Sequence, residues 1–258
     1  MTRIDLQSLY LEGTLDDGVL RVVINRPERR NACTIEMYHG IKRAAALADA
    51  DPHIDAVLLT GVGDLFCVGG EMGGKHEGRA GIDHETDGFD MLPFRQLEAT
   101  RALVVSAVNG LCHGGGLNMV LCSDVAIASD RASFRAPELL RGVADPYLAA
   151  RLPARVGMTL TKYLMFTAAS ISAGEAERIG LVAKTVAHEQ LPVQVAWVLE
   201  QIRSTGPAAR AAIKQNLNRQ LPPFDMPMFV GSVRSPEAIE GFRSFVEKRP
   251  PVWPRSGA

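Results

Sequence analysis

Three consecutive glycines at positions 114–116 form the stretch of this sequence best suited to chemistry on a bound ligand. They follow the apolar run Ala102–Val108 and precede Leu117–Leu121, an order that predicts a strand, a glycine turn and a helix. A turn without Cβ atoms lets a ligand approach the backbone, and the first N–H groups of a helix lack partners within it. The turn could therefore hold a phosphate, or stabilise negative charge that develops on an oxygen during a reaction.

The elements around this turn predict an α/β core. Strands are predicted at Ile4–Leu11, Val19–Asn25, Ala56–Thr60, Ala102–Val108, Val125–Ala128 and Leu181–Val186. Helices are predicted from a Thr34 cap to about Asp49, over Leu92–Arg101, from the glycines to Ser123, and at about 147–157, 159–168, 173–179, 190–204, 206–218 and 236–247. Residues 71–92 lack periodicity and are predicted to form a long loop, of a length that is usually functional or mobile. We expect a core over 1–190 and a helical C-terminal region over 191–258.

Composition narrows the class of protein. The chain has 258 residues, 47% of them hydrophobic, which is enough for a sizeable core. A net charge of -1 argues against a nucleic-acid partner, and no apolar run reaches membrane-spanning length. The N-terminal residues do not resemble a signal peptide, and the four cysteines do not have metal-ligand spacing. We expect a cytoplasmic protein with reduced thiols, no metal and no membrane partner.

The glycine patterns do not support a nucleotide site. Gly61-Val62-Gly63 begins like a dinucleotide-binding motif, but Phe66 stands where the third glycine belongs. The sequence also lacks a glycine-rich loop that ends in Gly-Lys-Ser/Thr. These departures argue against a dinucleotide or nucleoside triphosphate site, and the glycine turn by itself leaves its role open.

Several weak motifs together resemble the crotonase family, the enoyl-CoA hydratase/isomerase superfamily, in order and spacing over nearly the whole chain. They are Asn25-Arg26-Pro27 with Asn31-Ala32, Leu59-Thr60-Gly61 with residues 66–71, 110–116, Cys122-Ser123-Asp124 with Ile127-Ala128, 134–142, Arg151-Leu152-Pro153, Gly180-Leu181-Val182, and 248–252. The resemblance implies a spiral of ββα units, followed by helices that build a homo-trimer, often paired into a hexamer. It also implies a coenzyme A thioester as the substrate, with no further cofactor.

The resemblance assigns a role to two glycine segments. Carried over by position, the N–H groups of Gly70 and Gly115 would donate to the oxygen of a thioester enolate. Taken alone, Gly69-Gly70 would be read as an ordinary tight turn. Gly114–Gly116 would be read as a helix start that needs close packing.

The acid/base positions depart from the pattern of the family's hydratases, which use two glutamates. Glu138, in the Pro-Glu segment, matches one of them, and Asn118, three residues beyond Gly115, replaces the other. An amide cannot exchange a proton near neutral pH, although it can orient water or bond a carbonyl. The family's isomerases work with one glutamate at the Glu138 position, so isomerase-type chemistry is slightly favoured over hydration. The alternative is an acyl-CoA-binding protein with impaired catalysis.

Asp145 has two readings that the sequence leaves open. It lies seven residues beyond Glu138 and could serve as a second catalytic acid. It also precedes Pro146, which suits the N-cap of a helix.

The resemblance also implies where coenzyme A binds. Its contacts would come from Arg30 and Ala32, from the segment Val68–Met72 that includes Gly70, and from Lys248 near the C-terminus. For the basic residues the alternative is ordinary surface charge.

Overall fold

The computed structural model describes residues 1–71, 75–76, 79–80 and 92–254, with backbone only at 75–76 and 79–80. Most of the predicted loop over 71–92, including Met72, therefore lies outside the described residues.

The described chain alternates strands and helices up to residue 190 and is helical beyond it. The strands are β1 (Thr2–Ile4), β2 (Leu11–Asp16), β3 (Val19–Ile24), β4 (Ala56–Gly61), β5 (Leu65–Cys67), β6 (Lys75–His76), β7 (Arg79–Ala80), β8 (Leu103–Val108), β9 (Leu111–His113), β10 (Val125–Ser129), β11 (Ser133–Arg135), β12 (Ser170–Ser172) and β13 (Lys184–Val186). The helices are α1 (Ile35–Ala50), α2 (Phe94–Ala99), α3 (Gly115–Leu121), α4 (Pro146–Thr167), α5 (Ala173–Arg178), α6 (Leu191–Arg203), α7 (Pro207–Asn218), α8 (Met226–Val233) and α9 (Pro236–Val246). The predicted α/β class is confirmed.

The larger sheet has the order β1-β2-β3-β4-β8-β10-β13 in the described residues, and it is parallel from β3 onward. Its central strand β4 is apolar over Ala56–Leu59, as expected of a strand covered on both faces, and the Thr60 hydroxyl donates to Ala107 O at 2.9 Å. Val57 and Leu59 pack in the main core with α1, whereas Ala56 and Leu58 pack in a second cluster with α6. Helix α6, the first helix of the C-terminal region, therefore packs on one face of the larger sheet.

The smaller sheet, with the order β12-β11-β9-β5, positions the glycine segments. Strand β9 runs parallel to both of its neighbours, with Leu111 paired to Leu65 of β5 and His113 paired to Arg135 of β11. The carboxyl ends of parallel strands lie at the same edge of a sheet. The segments that follow these three strands therefore lie at one edge of the smaller sheet. They are 69–70, 114–116 and 137–138.

Three details differ from the sequence prediction. The first predicted strand, Ile4–Leu11, is wrong: Gln7 has a φ of 55° and its N–H donates to Asp5 Oδ1, so the chain turns there. The first long strand is β2, which pairs with β3 in a hairpin. In this pairing Leu11 lies opposite Ile24, and Asp16 lies opposite Val19. The predicted helices at 147–157 and 159–168 are one element, α4, interrupted at Gly157. Helix α8 was not predicted.

The predicted Thr34 helix cap is confirmed, and Ser172 forms a second cap of the same kind. The Thr34 side chain accepts a hydrogen bond from Met37 N at the start of α1, and Ser172 accepts one from Glu175 N at the start of α5. Across the described ranges, no helix is both long enough and apolar enough to cross a membrane.

Candidate functional site

The backbones of the two glycine segments are in contact at the shared edge of the smaller sheet. A Cβ added to Gly69 would lie 3.1 Å from Gly115 N, and one added to Gly115 would lie 3.3 Å from Gly69 Cα. Cys33 fixes the first segment, because Cys33 N donates to Gly69 O and Cys33 O accepts from Glu71 N, both at 2.8 Å. Neither Gly70 N–H nor Gly115 N–H donates to another residue within the described ranges. Two amide donors are thus available side by side.

Glu138 contacts the same turn from the end of β11. Gly114 adopts a φ of 55°, and a Cβ placed on it would lie 2.9 Å from Glu138 Oε1. Gly114 N donates to Arg135 O at 3.1 Å, which ties the turn to the strand that leads to Glu138. The structure thus brings the carboxyl group and the glycine turn together, as the sequence predicts.

The Glu138 carboxyl group is in a setting that favours its protonated form. Its Oε2 atom is inaccessible to solvent and accepts no hydrogen bond within the described chain. Burial, followed by the negative charge of Asp145, raises the pKa of Glu138 well above the ordinary value, and nearby Arg141 opposes this only in part. A carboxyl group with a raised pKa can both release and accept a proton near neutral pH.

The cap reading of Asp145 is confirmed. Its Oδ1 accepts the N–H groups of Tyr147 at 2.8 Å and Leu148 at 2.9 Å, at the first turn of α4. Its Oδ2 accepts a hydrogen bond from Asn118 Nδ2 at 2.8 Å. Burial raises the pKa of Asp145, while these hydrogen bonds act to lower it. With both oxygens occupied, Asp145 is better placed to hold Asn118 than to transfer a proton.

Asn118, in the first turn of α3, has a buried amide oxygen that makes no described hydrogen bond. The residue is only 1% exposed, and its Oδ1 is buried without a hydrogen-bond partner in the described chain. The bond from Nδ2 to Asp145 sets this orientation, because an amide oxygen facing the carboxylate would be repelled. A buried acceptor without a partner is costly, and a ligand hydroxyl or a water molecule would relieve that cost.

Tyr38, on α1, belongs to the site although the sequence interpretation did not include it. A Cβ on Gly115 would overlap the Tyr38 hydroxyl, and a Cβ on Gly70 would lie 3.4 Å from it. Tyr38 lies next to Met37 on the buried face of α1, where periodicity alone assigns it to the core. The available signal was its chemistry, since a buried phenol usually needs a polar partner.

The predicted coenzyme A contacts are brought together only in part. Ala32 and Val68 flank the Cys33–Gly70 bridge and are half-buried. Arg30 and Lys248 are exposed, and no described contact joins either side chain to the glycine segments. Met72 lies outside the described residues.

An apolar recess adjoins the carboxyl group of Glu138. Besides Glu138, its lining residues are Ala136, Leu139, Val143, Leu148 and Met165. Leu148 therefore narrows the space beside the acid/base residue. Tyr147 instead packs edge-on against Phe94 and at a tilt against Phe224, with ring centroids 4.7 and 4.3 Å away. Within the described ranges, the His, Cys, Asp and Glu side chains form no cluster able to hold a metal ion.

The stability of the protein should depend on pH through Glu138. Its pKa is higher in the folded chain than in the unfolded chain, so its contribution is fully present below the ordinary glutamate pKa and is lost as pH rises through the folded value. We expect Glu138→Gln to become increasingly more stable relative to the wild type as pH rises above the ordinary glutamate pKa. Urea unfolding at several pH values measures this, and a difference independent of pH would contradict it.

A mixed α/β fold in which parallel strands place two amide donors beside a buried carboxyl group defines a class of enzymes that stabilise an anionic oxygen during proton transfer. The chain belongs to the Enoyl-CoA hydratase/isomerase family, whose sequence model matches residues 14–256. The expected crotonase resemblance is thereby confirmed, as is the expectation of an enzyme of this family that acts on acyl-CoA.

Individual relatives agree with this assignment over most of their length. The chain is 32% identical to a crotonyl-CoA hydratase of Syntrophomonas wolfei, with 88% of this chain and 90% of the relative covered. It is 29% identical to a carnitinyl-CoA dehydratase of Proteus mirabilis, with 96% of this chain and 98% of the relative covered. The crystal structure of a carnitinyl-CoA hydratase from Mycobacterium avium superposes on this chain with a TM-score of 0.83 at 26% identity. The superposition covers 95% of this chain and 98% of the other.

Proposed function

We propose that this enzyme moves a proton on an enoyl-CoA thioester, with Glu138 as its proton-carrying group and Gly70 and Gly115 as oxyanion donors. The observation that carries the proposal is the contact between the Glu138 carboxyl group and the glycine turn, with an amide, Asn118, in place of a second glutamate. Proton transfer and backbone donors suffice for this chemistry, so we propose no cofactor beyond the coenzyme A of the substrate.

Isomerisation is the reaction that we favour. The Glu138 carboxylate removes a proton from carbon 2 of a 3-enoyl-CoA, and the electron pair moves onto the thioester oxygen. The protonated Glu138 then delivers the proton to carbon 4, which gives the 2-enoyl-CoA and regenerates the carboxylate. One group with a raised pKa can perform both steps, and Asn118 exchanges no proton in either.

Hydration is the second candidate, and one observation favours it. The buried, unpartnered Oδ1 of Asn118 could accept a hydrogen bond from a water molecule aimed at the double bond. Several relatives are named as hydratases or dehydratases. In this reaction Glu138 would take one proton of the water while the water oxygen adds to carbon 3, and would then return that proton to carbon 2 of the enolate.

A panel of 2-enoyl- and 3-enoyl-CoA thioesters tests the proposal. Faster turnover of the 3-enoyl substrates supports isomerisation, and faster turnover of the 2-enoyl substrates in water supports hydration. Tight acyl-CoA binding without turnover of either type would contradict the proposal and favour the binding-protein alternative.

Replacing Asn118 should separate the two reactions. In Asn118→Ala the water-orienting oxygen is lost while Glu138 is kept, so the ratio of hydration to isomerisation should fall by about tenfold, the equivalent of one hydrogen bond of about 1.4 kcal/mol. Parallel assays of both reactions measure the ratio. An equal fall in both would show that Asn118 acts on a step that the two share.

Asp145→Ala tests the role of the carboxylate that accepts the hydrogen bond from Asn118 Nδ2. It removes the α4 cap and the acceptor of Asn118 Nδ2 together, so the free energy of unfolding should fall by about 1–3 kcal/mol. Urea denaturation measures this loss. A catalytic Asp145 would instead show lost turnover at unchanged stability.

We also propose a homo-trimer or hexamer and the coenzyme A contacts implied by the resemblance. Large apolar side chains are exposed on the later helices: Phe166, Trp197, Ile213, Leu217, Ile239 and Val246. Covering them with other copies of the chain would remove apolar surface from water. Light scattering after size exclusion should give three or six times the chain mass of 27.9 kDa, and a monomer would contradict the proposal. The cytoplasmic location and the division at residue 191 stay predictions.

A further inference from the structure

The hydroxyl group of Tyr38 lies close to both residues proposed as amide donors, Gly70 and Gly115. A Cβ on Gly115 would overlap this hydroxyl, and a Cβ on Gly70 would lie 3.4 Å from it. Both positions are glycine, so no side chain of either donor residue lies between its backbone and the phenol oxygen. The same hydroxyl thus borders both halves of the proposed oxyanion site.

The surroundings of Tyr38 hold its ring in place. The residue is 6% exposed and lies at the end of the first turn of α1, a helix capped by Thr34. Its ring meets Phe94 edge-on, with the centroids 6.1 Å apart. A phenol packed on several sides is preorganised, so little reorganisation would be needed for it to donate to a ligand.

The protonation state of Tyr38 suits a donor. Burial raises the pKa of Tyr38 well above its usual value, and the nearby thiols, Asp145 and Glu138 raise it further in that order. The phenol therefore carries its proton throughout the neutral pH range. A neutral O–H donates a stronger hydrogen bond to an anionic oxygen than to a neutral carbonyl oxygen.

We propose that the Tyr38 hydroxyl is a third donor to the substrate's thioester oxygen, beside the N–H groups of Gly70 and Gly115. This inference rests on the proposed function, because it presumes that an enolate oxygen occupies the site. Tyr38 is then a catalytic residue rather than a packing residue of α1. Its removal should weaken binding of the enolate more than binding of the neutral thioester.

The enolisation of bound acetoacetyl-CoA tests the proposal without any turnover. This 3-oxoacyl thioester loses a proton from carbon 2, and its enolate absorbs in the near ultraviolet, so titration of the complex gives its apparent pKa. Wild-type enzyme should lower that pKa relative to the free ligand. Tyr38→Phe should raise it by about 1–2 units relative to the wild-type complex, since a hydrogen bond to a charged group contributes about 1.5–3 kcal/mol.

Two further variants make the result specific. Tyr163→Phe removes a hydroxyl from an exposed tyrosine on α4 and should leave the ligand pKa unchanged. Tyr38→Met keeps an apolar side chain without the oxygen, and replaces Tyr38→Phe if that variant does not fold. With an active substrate, both Tyr38 variants should lower kcat by about 10- to 100-fold with little change in KM.

The outcomes separate this inference from the proposed function. If the wild type and the Tyr38 variants lower the ligand pKa equally, Tyr38 is no donor and the function of the glycines stands. If the wild type itself does not lower that pKa, the oxyanion function fails, and the Tyr38 proposal fails with it. An equal effect of Tyr163→Phe would also overturn the assignment to Tyr38.

Discussion

Glu138→Gln should lower turnover of every active enoyl-CoA substrate by about 10²- to 10⁴-fold, the range typical for loss of a general acid/base group. The amide keeps the size of the side chain beside Gly114 but cannot carry the proton. Affinity for an unreactive acyl-CoA should change little, because the glycine donors are retained. Steady-state kinetics with calorimetric binding measures both quantities.

The control for this substitution is Glu200→Gln, an exposed glutamate on α6. It makes the same chemical change away from the glycine segments, so turnover should equal that of the wild type. Unchanged turnover in Glu138→Gln would remove Glu138 from the mechanism. It would leave the neighbouring carboxylate, Asp145, as the acid to examine next.

Gly115→Ala should lower kcat/KM by about 10²- to 10³-fold, comparable to the loss of one oxyanion donor. The new Cβ would overlap the Tyr38 hydroxyl and lie 3.3 Å from Gly69 Cα. Either the phenol or the 69–70 segment must then move, which misaligns the two N–H groups. Kinetics on the preferred substrate measures the loss, with circular dichroism to establish that the variant is folded.

Gly174→Ala is the matched control for Gly115→Ala. A Cβ at Gly174 meets nothing within 4 Å, and the residue lies in α5, where alanine is favoured over glycine by about 0.5–1 kcal/mol. This variant should be fully active and slightly more stable than the wild type. Wild-type kcat/KM in Gly115→Ala would show that the turn tolerates a side chain, which an oxyanion hole at this position would not.

Sequence patterns predicted the elements whose signals are local. The strand at Ala56–Thr60 and the helix cap at Thr34 are predicted from such signals, and the structure confirms both. Strands of three residues, such as Leu111–His113, are too short for an alternation of apolar and polar residues to be recognised. The sequence patterns therefore do not predict the smaller sheet. The first strand was placed wrongly because apolar Leu6 continued the pattern through a turn at Gln7.

By itself, the sequence determined the family, the glycine segments, Glu138 and the amide at position 118. These follow from residue identities in a fixed order along the chain. The tertiary structure decided that Asp145, 27 residues from Asn118, caps α4 and holds the Asn118 amide. It also placed Tyr38 against Gly115. Neither contact has a local signal: both arise because parallel strands end at the same sheet edge and α1 packs beside it, so residues far apart in the chain share one small buried volume.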